Sequence, residues 1–447
     1  MCRKIYLAFI VLFLINTAAV FCRGKVEEFV IKDDVLVKYN GNEETVIIPS
    51  GVKVIGKWAF TNKIIKRVEE PRILNDTITA VILPESVVEI ADEAFYSCVK
   101  LTSVTFSNNV KAIGRLAFRS CEKLESVLLP GSLENIGDKA FSQCYSLKSI
   151  MIPGNVNYIG ESVFYHCMNL EDIQVSRDSI TYCDVDGILF DKSISRIICY
   201  PPAKECDLYM LPVSVTTVSK DSFSNVRKID TIVLPEGIEC IEEEAFKYCK
   251  GLRAVNLPAA IRAVGKNAFR WCENLESVSI SEGFTIIGTA MFADCGMISS
   301  MYLPPSVIEI GDLAFRGCSK LSEINIPIGI SRTGVRTFAH CRSLETIILP
   351  GTLEYIDEGA FEGCVKLRSL VIPDSVVSIK RSAFFYCESL ESMVIPDTVE
   401  SIGTRAFMYC KNLRPLYLSR KTKLGENVFE DPQEPWYKSS AEIVYRD

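Results

Sequence analysis

The sequence CEKLESVLLPGSLENIGDKAF, residues 121–141, contains the pattern that decides the fold. Apolar side chains at Leu124, Val127 and Leu129 occupy the first, fourth and sixth places of a short strand. Pro130 ends that strand, because proline cannot donate a ladder hydrogen bond. One such unit cannot bury its apolar side alone, whereas a neighbouring copy stacked on it can cover that side.

The same pattern recurs with a fixed step of 23 residues, as between Phe118 and Phe141. A solenoid is the usual meaning of a step of this length, because equivalent strands then pair in parallel along a shared core. A cysteine follows the phenylalanine by three residues, except that Val226 follows Phe223. The phenylalanines are Phe95, Phe118, Phe141, Phe164, Phe223, Phe246, Phe269, Phe292, Phe315, Phe338, Phe361, Phe384 and Phe407. The cysteines are Cys98, Cys121, Cys144, Cys167, Cys249, Cys272, Cys295, Cys318, Cys341, Cys364, Cys387 and Cys410.

The pattern C-x-x-L-x-x-I-x-I-P-x-x-V-x-x-I-G-x-x-A-F resembles the BspA-type leucine-rich repeat family from about Val26 to Phe407. Residues 29–50 resemble the hairpin that opens such arrays, and residues 186–201 resemble a variant hairpin unit found inside them. The predicted fold is a β-rich solenoid, a right-handed leucine-rich repeat stack of 23-residue units with one parallel β-sheet face. The resemblance implies a secreted or surface-exposed protein linked to adhesion and host contact, without conserved catalytic residues.

The first residues are typical of an export signal. Arg3 and Lys4 precede an apolar stretch from Ile5 to Phe21, and small residues at 17–19 offer a cleavage site. An uncleaved membrane anchor is the alternative, and a lipid on Cys22 is a lesser one. No later segment is apolar over a length that spans a membrane.

Two interruptions and two ends divide the array. The insertion at residues 61–77 is either a tolerated surface loop or a binding lobe. An Asn40-Gly41 turn is expected in the opening hairpin. The expected segments are a signal peptide at 1–22, an N-terminal hairpin cap at 23–50, a first repeat block at 51–175, a variant hairpin unit at 176–212, a second repeat block at 213–418 and a C-terminal cap at 419–447.

The 18 cysteines of an exported chain invite a disulfide interpretation. Geometry argues against it for the repeat cysteines, because stacked Cβ atoms lie about one strand spacing apart, roughly 4.8 Å. A disulfide needs a Cβ separation of about 3.8 Å. We therefore expect small buried thiols there, while Cys199 and Cys206 remain the best candidates for a disulfide. Zinc is disfavoured because close C-x-x-C pairs are absent from the sequence.

No catalytic constellation is apparent, and we expect neither enzyme activity nor a cofactor. His166 and His340 each precede a repeat cysteine, but neighbouring side chains point apart and cannot form a dyad. The net charge is −7, and no basic run stands out, which argues against a nucleic-acid partner.

The second, third and fifth places of each strand are expected to face outward. Towards the C-terminus the fifth place forms an apolar stripe beside a column of small hydroxyl side chains, which is either an interaction surface or simply a set of residues suited to strands. The predicted function is binding of extracellular or cell-surface proteins, host matrix proteins among them, in adhesion or host interaction. The alternative is a self-assembling structural protein of the envelope. The candidate protein-binding residues are Tyr302, Asn325, Ile348, Val371, Val394 and Tyr417.

Overall fold

The computed structural model describes residues 28–60, 63–66, 71–429 and 443–446, with the backbone alone at 63–66 and 71–73. Two compact units make up the chain, the first ending at Cys167 and the second beginning at Met168. Both are β-solenoids whose short parallel strands recur with the predicted 23-residue step. The predicted signal peptide at 1–22 lies outside the described residues, and so does most of the tail beyond 429.

The strands that follow the repeat cysteine, or the equivalent place where a repeat lacks it, pair in parallel within each unit, and we call them the front strands. Ser126 lies beside Ser149 and Val127 beside Ile150, so equivalent residues of neighbouring repeats are in register. An isolated bridge between Thr346 and Ser369 continues the pattern. The front strands of unit 1 are Thr45–Ile47, Ala80–Ile82, Ser103–Thr105, Ser126–Val127 and Ser149–Ile152; those of unit 2 are Asp172–Val175, Leu208–Met210, Thr231–Val233, Ala254–Leu257, Ser277–Ile280, Ser300–Met301, Glu323–Ile324, Met393–Val394, Leu416–Ser419 and Ile443–Arg446.

A second set of parallel strands, the rear strands, follows the proline turn of each repeat. Asn135 pairs with Tyr158 and Ile136 with Ile159, again one repeat apart. The prediction of one parallel sheet face is therefore incomplete. The rear strands of unit 1 are Val54–Ile55, Glu89–Ile90, Ala112–Ile113, Asn135–Ile136 and Tyr158–Ile159; those of unit 2 are Thr217–Val218, Cys240–Ile241, Ala263–Val264, Ile286–Ile287, Glu309–Ile310, Tyr355–Ile356, Ser378–Ile379, Ser401–Ile402 and Lys423–Leu424.

The hairpin at the start of unit 1 pairs Phe29–Lys32 with Val35–Tyr39, and its turn is Asp33-Asp34. The predicted turn at Asn40-Gly41 is wrong, since those residues follow the second strand. Asp33 and Asp34 both have positive φ, 49° and 63°, as a two-residue hairpin turn requires. Asparagine and aspartate tolerate this conformation better than other side chains, so the apolar strands on either side set the position of the turn.

Antiparallel strands also occupy both interruptions. The insertion contains a hairpin of Lys63–Lys66 with Pro71–Leu74. The variant unit is a meander in which Ile188–Asp191 pairs with both Tyr182–Val185 and Arg196–Cys199. The last of these strands then pairs in parallel with Thr217–Val218, so the rear strands of unit 2 continue from the meander. No helix long and apolar enough to cross a bilayer occurs among the described residues.

The turn around each repeat phenylalanine closes the third side of the solenoid. In one repeat the backbone N–H groups of Lys139, Phe141 and Gln143 donate to carbonyls of the next repeat. Lys139 and Gln143 adopt positive φ, 54° and 61°, and this alternation turns every second N–H towards the neighbouring repeat. A left-handed residue other than glycine costs on the order of 1 kcal/mol, and the inter-repeat hydrogen bonds offset that cost.

The core holds a continuous ladder of phenylalanine rings in each unit. Neighbouring rings are nearly parallel, as for Phe246 and Phe269, whose centroids are 4.8 Å apart at an interplanar angle of 3°. Phe164, the most exposed of the repeat rings, shows only 4% of its surface to solvent. Each such buried ring removes roughly 150–250 Å² of surface from water.

The repeat cysteines are buried thiols, and the structure gives them a bonding role. Cys144 Sγ donates to the carbonyl of Phe118, 26 residues earlier, at 3.3 Å. The same carbonyl also accepts the backbone N–H of Cys121. A carbonyl oxygen has two lone pairs and can accept both. Eleven such thiol bonds, at 2.9–3.3 Å, are made by Cys121, Cys144, Cys167, Cys249, Cys272, Cys295, Cys318, Cys341, Cys364, Cys387 and Cys410.

The candidate disulfide between Cys199 and Cys206 is not formed, and both residues are thiols. Cys199 Sγ points towards the carbonyl of Tyr200, at 3.8 Å, whereas Cys206 Sγ donates to the carbonyl of Leu208, at 3.0 Å. The two cysteines are close in sequence, but the chain directs each thiol to a different backbone carbonyl.

Candidate binding surface

The front strands divide their side chains cleanly between core and solvent. In one repeat Leu124, Val127 and Leu129 are buried, whereas Glu125, Ser126 and Leu128 are exposed. The second, third and fifth places therefore face outward, because side chains alternate across a strand and the strand begins just after a bend. These outward places form the candidate binding surface.

Four of the six candidate residues expose much of their surface. The exposed fraction is 83% for Ile348, 82% for Val371, 65% for Tyr302 and 51% for Val394. Tyr417 is half-buried in a front strand, where it lies between Val394 and Val444. Three consecutive repeats thus present Ile348, Val371 and Val394 side by side, and we call these three residues the apolar stripe.

Asn325 differs from the other candidates, because its side chain bonds to the backbone. Its Nδ2 donates to the carbonyl of Leu303, at 2.7 Å, and its Oδ1 accepts the N–H of Leu303, at 2.8 Å. Asn256 makes the same pair of bonds to Leu234. Asparagine at the fifth place therefore joins two neighbouring repeats through the backbone. Its recurrence at that place is the feature of the sequence that could have indicated this role. Asn325 separates Tyr302 from the apolar stripe.

Other exposed apolar residues lie outside the six candidates. In unit 1 the fifth place carries Leu128, which is 83% exposed, and Met151. In unit 2, Met210 at the end of the front strand Leu208–Met210 and Val213 just after it are exposed. Reading the fifth place along the whole chain would have found Leu128, Met151 and Met210. Exposed apolar side chains are therefore not confined to the C-terminal repeats.

The residue directly before each repeat cysteine forms a second outward column, which we call the turn column. Tyr248 stacks on Trp271 with centroids 4.6 Å apart, and Tyr386 stacks on Tyr409 at 4.4 Å. His340 belongs to this column and is half-buried. Burial lowers the pKa of His340, so its imidazole is neutral at pH 7.

The histidines and cysteines do not form catalytic dyads in the described structure. Cys341 turns inward and donates its thiol to the carbonyl of Phe315, at 3.2 Å, while His340 faces outward beside it. Burial raises the pKa of Cys341 well above its usual range, which disfavours the thiolate that a nucleophile requires. In the part of the chain that is described, no three histidine, cysteine or acidic side chains form a group able to hold a metal ion.

The comparisons with known proteins agree with this geometry. Residues 74–193, 205–322 and 308–434 match the BspA type leucine rich repeat region, in six copies that span well over half of the sequence. The chain belongs to the BspA-type leucine-rich repeat family. No curated protein matches this BspA-type chain.

Solved structures resemble this BspA-type chain over most of its length. A leucine-rich repeat protein from Eubacterium ventriosum has a TM-score of 0.63 and 24% identity, covering 74% of this chain and 88% of that one. One from Bacteroides ovatus has a TM-score of 0.56 and 26% identity, covering 94% and 97%. The pneumococcal vaccine antigen PcpA has a TM-score of 0.50 and 19% identity, covering 94% and 96%. These likenesses support the repeat fold.

Proposed function

We propose that this protein is exported and binds another extracellular or cell-surface protein through the front strands of unit 2, centred on the apolar stripe. The observation that carries the proposal is the exposure of Ile348 and Val371, more than four-fifths each, in adjacent repeats that are joined by the parallel bridge between Thr346 and Ser369. Contiguous apolar surface of this kind on a folded protein usually marks an interaction site.

The residues beside the apolar stripe favour protein recognition. Thr346, Ser369 and Ser392 stand at the third place of the same repeats and are exposed. Their small hydroxyl side chains leave the neighbouring apolar groups open to a partner and add hydrogen-bonding capacity. At the second place, Glu345, Arg368 and Glu391 alternate in charge and form a polar border. An apolar centre with a polar rim is the usual anatomy of a protein interface.

The double variant Ile348→Asp, Val371→Asp is expected to weaken partner binding at least 100-fold. Each substitution would place a carboxylate in the apolar centre of the interface, where loss of a central contact costs about 2 kcal/mol or more, and 1.4 kcal/mol is a tenfold change. The chain without residues 1–22 would first be screened against extracellular matrix and cell-surface proteins. Surface plasmon resonance on the partner so identified would then compare the variants.

The matched control is Leu128→Asp with Met151→Asp, which changes two adjacent fifth places in unit 1. It should leave binding and the circular dichroism spectrum unchanged. Equal binding by both double variants would contradict the assignment to unit 2. Light scattering of the same samples tests the alternative function. If the wild type forms an oligomer, the unit 2 variant is a monomer and no matrix ligand is found, self-assembly is indicated instead.

A further inference from the structure

A pocket of about 250 Å³ lies on the repeats that carry the apolar stripe. The pocket lies between the turn column and the beginning of the front strands, so it borders the binding surface without belonging to it. His340 and Ile348 share one repeat, Gly363 and Val371 the next, and Tyr386 and Val394 the third. The lining residues are His340, Arg342, Glu362, Gly363, Val365 and Tyr386.

Gly363 creates the pocket because it interrupts the turn column. Its φ of 71° does not itself demand glycine, since His340 and Tyr386 hold φ values of 62° and 60° at the same place in adjacent repeats. What glycine supplies is space. The Nδ1 atom of His340 lies 2.5 Å from the position that a Cβ atom would take, so the imidazole leans into the repeat of Gly363.

Tyr386 forms the opposite wall of the pocket. One side of its ring stacks on Tyr409, and the edge of Phe385 meets it at a centroid distance of 4.7 Å. More than a third of Tyr386 stays exposed. In this column, rings one repeat apart stack directly, so the next position in the stack on Tyr386 is the one that Gly363 leaves without a side chain. One aromatic ring fits there in the orientation that Tyr386 and Tyr409 already adopt.

Of the two charged side chains that line the pocket, Glu362 has an ion-pair partner within the described residues and Arg342 has none. Arg336 pairs with Glu362 at 3.3 Å, and Arg316 pairs with Asp294 at 3.2 Å. Arg342 is exposed and forms no ion pair within the described residues. Because burial keeps His340 neutral, the uncompensated charge of the pocket comes from Arg342. A guanidinium at the rim favours a carboxylate on the partner.

We propose that this pocket receives one aromatic side chain of the partner protein, stacked on Tyr386, and that Arg342 binds an acidic residue adjacent to that ring. The inference rests on the proposed function, because it describes the anchor of the partner that covers the apolar stripe. Aromatic side chains seated in well-packed pockets are often among the residues that contribute most to the binding energy of an interface. The partner segment is therefore acidic and contains an aromatic residue.

Three tripeptides test this assignment on the chain without residues 1–22: acetyl-Glu-Tyr-Glu-amide, acetyl-Glu-Ala-Glu-amide and acetyl-Lys-Tyr-Lys-amide. Ligand-observed NMR would measure saturation transfer to the peptide and its dissociation constant. The first peptide should bind at least tenfold more tightly than either of the others, because only it supplies both the ring and the acid. Equal affinities, or no binding of the first peptide at millimolar concentration, would overturn the proposal.

Variants then place the peptide on the pocket. Tyr386→Ala should weaken binding at least tenfold by removing the stacking wall, and Arg342→Glu should do the same by reversing the charge. Gly363→Tyr should abolish binding by filling the gap: Tyr386 already adopts this backbone conformation at the equivalent place, and the imidazole of His340, whose Nδ1 lies 2.5 Å from the Cβ position, must turn away. Tyr248→Ala, elsewhere in the turn column, is the control and should leave binding unchanged. Full binding by the Tyr386 and Gly363 variants, with normal circular dichroism spectra, would contradict the site.

The Ile348→Asp, Val371→Asp variant separates this inference from the proposed function. It should lose the whole partner but still bind the first peptide, since the pocket lies outside the apolar stripe. If the double variant loses the whole partner and the wild-type chain binds none of the peptides, the inference about the pocket is contradicted and the proposed function stands. Peptide binding at the pocket with undiminished partner binding by the double variant contradicts the apolar stripe instead.

Discussion

Replacing Phe361 with alanine is expected to lower the free energy of unfolding by about 3–5 kcal/mol, the usual cost of removing a buried phenylalanine. Its ring is fully buried between Phe338 and Phe384, with centroids at 5.5 and 5.4 Å. The variant would lose apolar burial, two stacking contacts and the packing around a cavity that neighbouring repeats cannot easily close. Urea denaturation followed by circular dichroism measures the change.

The control for this experiment is Tyr302→Ala, which removes a ring that is 65% exposed directly after the front strand Ser300–Met301. It should change the free energy of unfolding by less than about 1 kcal/mol, as most surface substitutions do. A loss below 1 kcal/mol in the Phe361 variant, or equal losses in the two variants, would show that the phenylalanine ladder does not hold the repeats together.

Stability is expected to fall steeply as the pH rises above about 9. Ten repeat thiols have a raised pKa because burial disfavours the thiolate, and that of Cys410 is raised to about 12. In the unfolded chain these thiols ionise near their ordinary pKa of about 8.5. The unfolded state therefore loses protons that the folded state keeps, and the fold weakens with rising pH.

The size of this effect follows from the number of thiols. Each thiol lowers the free energy of unfolding by up to about 1.4 kcal/mol per pH unit between its unfolded and folded pKa. Several thiols together can therefore unfold a repeat array within one or two pH units. Urea denaturation at pH 7, 8, 9 and 10, under reducing conditions, measures the slope. A double variant, Cys387→Val with Cys410→Val, should show a smaller slope, because it lacks two of these thiols. Valine fits at this place, since Val226 already occupies it in another repeat. Equal slopes for the two proteins would contradict the prediction.

Sequence alone was enough to predict the repeats and their front strands. Leu124, Val127 and Leu129 show an unambiguous spacing, and a step of 23 residues admits one register. The rear strands could not be anticipated in the same way. A strand such as Asn135–Ile136 has two residues and no alternation, and only its neighbours in adjacent repeats make it a strand.

The contacts that join different repeats were also beyond prediction. The sequence indicates that Cys144 is small and buried, but its acceptor, Phe118, becomes visible only when two repeats are stacked. The pocket beside Tyr386 could not be predicted either. In the sequence Gly363 resembles an ordinary turn glycine, and only the structure shows the rings of His340 and Tyr386 on either side of it. The candidate surface was predictable as a column of places, whereas the engagement of Asn325 depends on the backbone of Leu303.

Deletion of residues 376–398 tests most directly whether the repeats are interchangeable units stacked in register. It removes one complete unit and brings Phe407 to the place beside Phe361 that Phe384 held. The shortened protein should keep a β-sheet circular dichroism spectrum and unfold cooperatively, at a somewhat lower urea concentration. Deletion of residues 388–398 removes fewer residues but breaks the register, and unit 2 should then lose its folded signal beyond that point. Unfolding of the full-unit deletion, or survival of the half-unit deletion, would contradict the account.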